Sequence, residues 1–104
     1  MADNMLLKVL LHAPTATALQ RARNNASNLL RDAPDAEVRI VANAEAVVAA
    51  LEQPHDVLDA ITWLCPNTLQ RANRTAHEPL HVLARAAVLE IAQMQQQGWV
   101  YVRA

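Results

Sequence analysis

The segment Met5-Leu6-Leu7-Lys8-Val9-Leu10-Leu11 is apolar at odd and even positions alike. A strand with one wet face would alternate, so this run reads as a strand covered on both faces, as in a parallel sheet flanked by helices. His12-Ala13-Pro14-Thr15 breaks the run, and Thr17 with Gln20 has the form of a capping box opening a helix to about Arg31. Ala18, Leu19, Ala22, Ala26, Leu29 and Leu30 recur there at steps of three and four. Glu37 to Ala42 alternates as a half-covered strand, Asn43 closes it, and Glu45 to Leu51 forms a short helix that Gln53-Pro54-His55 stops. A third strand is expected over Ala60 to Cys65, and Pro66 then suits the first position of a polar helix through Ala72. Pro79 to Leu83 is a weaker strand. Ala86 to Gln97 follows as a helix whose apolar side, Val88, Leu89, Ile91, Ala92 and Met94, has the spacing of a packing face. Gly98 stops it and Trp99 to Val102 is the last strand. The alternation predicts an α/β three-layer sandwich: a roughly five-stranded, mainly parallel sheet with helices on both faces, as one domain over residues 1–104.

Composition removes several function classes. Hydrophobic residues reach 53% and charged residues only 18%, enough apolar material for a core and for a subunit interface. Nine basic and ten acidic side chains give a net charge of -1, without the basic excess that backbone-driven nucleic-acid binding needs. Trp63, Trp99 and Tyr101 fall in expected strands, which argues packing, not base stacking. The single glycine, Gly98, excludes glycine-rich phosphate loops, and no cofactor is expected. His55, His77 and His81 show no ligand spacing, so no metal is expected. The apolar runs are too short for a membrane span, and a lone cysteine forms no internal disulfide, so the expectation is a cytoplasmic protein.

Ligands of parallel sheets gather beyond the carboxyl ends of the strands, which singles out His12, Asn43 and Cys65. A thiol at the start of a helix faces unpaired amides that favour thiolate. The competing reading is a small buried hydrophobe. His12 is a candidate to orient or deprotonate the thiol if the strand ends are neighbours, and Arg71 or Arg74 to reach the same mouth and stabilise an anion.

Three segments together resemble the DsrE/DsrF-like family of small sulfur-metabolism proteins. They are Asn25-Ala26-Ser27-Asn28-Leu29-Leu30 followed by Val38 to Asn43, then Leu64-Cys65-Pro66-Asn67-Thr68-Leu69, then Val88 to Arg103. The C-x-N-T form at Cys65 is similar to the stand-alone members. The resemblance implies a five-stranded sandwich that assembles as homotrimers or homohexamers, with Cys65 at the mouth of the site. In the sulfur-relay members that cysteine carries a persulfide between donor and acceptor proteins in intracellular sulfur oxidation. Where the family has a glycine, a proline and a second glycine, this chain has Ala87, Arg85 and Ala44, and the stretch from Glu52 to Asp59 is shorter than the usual helix. The resulting expectation is a cytoplasmic sulfur carrier with Cys65 as acceptor, Asn67 and Thr68 supporting the anion, and His12, Asn43 and Arg71 lining the pocket. The rival is a homo-oligomeric ligand-binding or regulatory subunit in which Cys65 is structural.

Overall fold

A computed structural model describes residues 6–104. In chain order it holds β1 (Lys8–Ala13), α1 (Ala16–Asp32), β2 (Glu37–Ala42), α2 (Glu45–Glu52), a 3-10 turn (Leu58–Ile61), β3 (Thr62–Leu64), α3 (Pro66–Ala72), β4 (His81–Val82), α4 (Ala87–Gln96) and β5 (Val100–Arg103). All strand pairs are parallel, in the order β4-β3-β2-β1-β5. The predicted α/β sandwich with a five-stranded parallel sheet is the fold of this chain. Among the described residues no helix is long and apolar enough to cross a membrane.

The central strand explains its own composition. Val9, Leu11 and Ala13 point to the face covered by α1, while Leu10 and His12 point to the face of α4. Val9, Leu10, Leu11 and Ala13 are all buried, as a strand apolar on both sides requires. β1 nevertheless begins at Lys8, because pairing starts with Lys8 opposite Glu37 and ends with Ala13 opposite Ala42. Leu6 and Leu7 precede the ladder and are exposed, and Met5 lies outside the described residues. Strand β2 keeps the predicted bounds.

Helix α1 is capped by Thr15, not by Thr17. The backbone of Thr15 is extended and its Oγ1 accepts from the amide of Ala18 at 3.0 Å, satisfying one orphan donor. Gln20 is drawn instead to Gln53 Oε1 at the end of α2, at 2.6 Å. The buried stripe of α1 is Ala18, Leu19, Ala22, Arg23 and Ala26. Arg23 therefore sits on the apolar face, where Nη2 meets Asp59 Oδ1 at 3.3 Å. The second carboxylate oxygen of Asp59 accepts from the amide of His55 at 3.1 Å, and Arg23 Nε has no partner. Asp59 belongs to the 3-10 turn, which takes Ala60 and Ile61 out of the predicted third strand. Thr62 Oγ1 donates to Leu58 O at 2.8 Å and closes that turn.

The opposite face is covered less completely. Only Ala87 and Met94 of α4 are buried, whereas Val88 is 78% and Leu89 40% exposed, so the predicted packing face is largely left open. Residues one heptad apart reach the sheet, and a cavity remains between the helix and the side chains of His12 and Tyr101. Gly98, at a φ of 96°, turns the chain where a side chain would be strained. Trp99 donates its amide to Met94 O, so β5 starts one residue later than predicted. Beyond the reach of α4 this face is closed by a ladder of flat side chains. The Arg39 guanidinium lies 4.5 Å from the Trp63 ring and 4.9 Å from that of Trp99, with His81 stacked on Trp63 and Lys8 over Trp99.

Candidate functional site

Cys65 lies immediately after β3. Its amide donates to Ala42 O at 3.0 Å, continuing the strand pairing, and its carbonyl accepts from Leu69 N at 3.1 Å as the first bond of α3. It is therefore the N-cap of that helix, with Pro66 at the first position as predicted. The thiol is free and the residue is 6% exposed. It opens into a cavity of about 240 Å³ whose lining includes Asn43, Asn67, Thr68, Arg71 and Ala87.

Burial raises the energy of the thiolate and pushes the pKa up. Hydrogen bonding from the backbone of Ala87 and Thr68, from the Thr68 hydroxyl and from the backbone of Asn67 outweighs burial, and the thiol titrates below its ordinary value. The hydroxyl is aimed by its own partner: Thr68 Oγ1 accepts from the amide of Ala44 at 3.3 Å, which leaves its proton for the sulfur. Ala44 holds that amide in place at a φ of 50°, a conformation costly for any residue with a side chain. The strain sits within the turn that carries the chain from Asn43 to α2.

His12 does not address the sulfur. Its Nε2 lies 2.9 Å from Asn43 Oδ1 and its Nδ1 2.6 Å from the Tyr101 hydroxyl. An amide oxygen only accepts, so Nε2 donates to Asn43 Oδ1, and Nδ1 shares a second hydrogen bond with the Tyr101 hydroxyl. Both ring nitrogens are thus engaged, and Asn43 stands between the imidazole and the thiol. Tyr101 and His12 face a second cavity of about 350 Å³, walled by Ile91, Ala92 and Gln95 of α4. Asn43 and Val88 line both cavities, and Asn67 with Arg71 continues from the first into an outer recess with Gln70. These neighbouring cavities form a trough by their shared walls across the carboxyl ends of the strands, with Arg71 toward one end, Cys65 in the middle and His12 toward the other.

Of the residues singled out from the sequence, Asn43, Asn67, Thr68 and Arg71 gather round Cys65, and His12 stands one cavity away. Arg74 turns aside to Glu52 at 3.3 Å. His55 is bound into its own turn, with Nδ1 accepting from Val57 and Leu58, and His81 contacts Ala60 O. Among the described residues no group of three or more His, Cys, Asp or Glu side chains is arranged to hold a metal. Sequence reasoning missed the Ala87 backbone, Tyr101 and Gln95, which reach the trough only because β5 lies beside β1 and α4 crosses the open face. Comparison with family models gives no match for this chain, and comparison with curated proteins gives none either.

Proposed function

We propose that this chain is a small cytoplasmic sulfur carrier of the DsrE/DsrF-like kind, accepting sulfane sulfur on Cys65 and passing it to a partner protein's thiol. The observation that carries the reading is a single thiol whose pKa is lowered by three backbone groups and one hydroxyl, inside an open cavity. In the loading step the Cys65 thiolate attacks the outer sulfur of a donor persulfide, R–S–SH. The new S–S bond forms as the donor's S–S bond breaks, R–S⁻ departs, and the outer sulfur keeps its proton as Cys65–S–SH. Unloading is the same exchange, with the acceptor's thiolate taking the terminal sulfur. Asn67, Thr68 and the Ala87 amide hold the anion between steps, and Arg71 attracts anionic donors at the rim. His12 takes no part in the exchange, since its ring nitrogens are held by Asn43 and Tyr101. The family resemblance supports a homotrimer or homohexamer as the working form.

A persulfide donor such as glutathione persulfide is to be incubated with the reduced native chain and with Cys65→Ser, followed by intact mass. A gain of about 32 Da on the native chain alone is expected, one sulfur added to one cysteine. The rate of Cys65 alkylation is expected to inflect at lower pH than that of a free cysteine, since a depressed pKa keeps thiolate present as pH falls, and Thr68→Val should move the inflection up. A thiol that takes no sulfur and resists alkylation until unfolding overturns the proposal. The near-complete burial of Cys65 beside the His12 cavity favours one other reading, a ligand-binding subunit, in which Cys65→Ser leaves ligand binding and assembly intact.

A further inference from the structure

Strand β5 is the long edge of the sheet. It pairs with β1 on one side only, and its residues are exposed on both faces. The direction of its free groups follows from the ladder. Ala104 donates its amide inward to His12 O, so by alternation Val100 and Val102 also turn their N–H and C=O toward β1, whereas Tyr101 and Arg103 turn theirs outward. Among the described residues nothing meets those outward groups. The other edge, β4, has two residues and offers no comparable template.

The edge is flanked by an open cleft on each face. On the α1 side a cavity of about 360 Å³ is lined by Val9, Leu11, Leu29 and Val102, and on the α4 side lies the cavity shared by Tyr101, His12 and Val88. A cover for β5 must therefore be a strand that brings apolar side chains to one face and a flat or cationic one to the other. β5 itself has that alternation, with Val100 and Val102 on one side and Tyr101 and Arg103 on the other.

From this self-complementarity we infer that β5 pairs antiparallel with β5 of a second copy of this chain, about a two-fold axis through Val102. The inference is independent of any chemistry at Cys65. Only even registers keep the two faces in phase, so a two-fold must pass through a residue. Centring on Tyr101 would need the amide of Trp99, which is already given to Met94 O. Centring on Val102 uses Tyr101 and Arg103, the residues with free groups, and forms four backbone hydrogen bonds between the copies. It sets Val102 against the partner subunit's Val102 over the α1-side clefts and Val100 against the partner subunit's Ala104. The guanidinium of each Arg103 comes opposite the other copy's Tyr101 ring, a favourable cation–aromatic cross-strand pair. Tyr101 is the residue whose hydroxyl engages His12, so the second copy supplies a cation beside that cavity. A stable interface removes about 800 Å² from each partner, more than a four-residue edge provides, and the α1-side cleft beside Leu29 supplies additional apolar contact. The axis excludes a lone homotrimer and makes the assembly even-numbered, a dimer or two trimers back to back.

Light scattering on the native chain at micromolar concentration should give an even multiple of 11.4 kDa. Val102→Lys sets two cations against each other on the axis and should halve that mass, with far-ultraviolet circular dichroism unchanged. Val102→Glu should halve it too, and an equal mixture of the two variants should return to the native mass. In a Cys65→Ser background, Val102→Cys should form a covalent dimer with oxidised glutathione, because opposed residues at a non-hydrogen-bonded pair lie about 4.5 Å apart, within disulfide reach. Val100→Cys should not. A native monomer, an odd-numbered assembly, a mass that Val102→Lys leaves unchanged, or a Val102→Cys chain that stays uncrosslinked overturns the inference.

Discussion

Helices α1 and α4 cover opposite faces of the same sheet, and they do so unequally. α1 is 17 residues long, has a side-chain cap and buries five residues, one of them charged. α4 is 10 residues long, has no side-chain cap and buries two. On the α1 face Arg23 Nη2 pairs with Asp59 away from water, while Arg23 Nε is left without a partner. The α4 face leaves its polar groups at the walls of an open trough, where His12, Tyr101, Asn43 and Cys65 remain within reach of a ligand. Both faces keep a cleft beside the β5 edge, and the thiol and the imidazole stand on the α4 side.

Four substitutions test this division. Asp59→Ala strands the Arg23 guanidinium in the core, and removing one member of a buried pair costs about 3–5 kcal/mol, the largest effect expected here, read as a fall in the urea midpoint. A change under about 1 kcal/mol would show that the α1 face is no tighter than its opposite. Thr15→Ala removes the cap of α1 and should cost about 1 kcal/mol by the same measurement. Thr17→Ala serves as its comparison and should be nearly silent, since no bond depends on that hydroxyl as a cap. Val88→Ser on the exposed side of α4 should alter stability by no more than about 0.5 kcal/mol, and a larger loss would mean that the open face is packed in solution.

The same contrast explains what the sequence revealed. β1 was legible as a doubly covered strand, and β2, with clean alternation and turn residues on both sides, kept its bounds to the residue. The stripe of α1 was legible as well, and it contained an unused signal: Arg23 falls three to four residues from Leu19 and Ala26, on the apolar face, where a charge demands a buried partner. Asp59 could not be named from spacing, because it arrives through a 3-10 turn that shortens β3. The cap was misplaced because Thr17 and Gln20 match a box in sequence while Gln20 is held by Gln53 in space. Around Cys65 the local part was legible, since the helix that begins at Pro66 brings Asn67, Thr68 and Arg71 with it. The engagement of His12 by Tyr101 was not, because it depends on the last strand crossing to the far side of β1, and strand order is set by the whole chain.

The ladder of Trp63, Arg39 and Trp99 has an optical consequence. The chain has two tryptophans, and both lie on the α4 side of the sheet. Intrinsic fluorescence therefore watches one face only, while circular dichroism is dominated by helices, α1 the longest among them. If the open face loosens before the closed one, the emission will shift while ellipticity still reads native, and the two traces will part company on a melting curve. The two tryptophans thus report on the side of the sheet that holds the thiol and the imidazole.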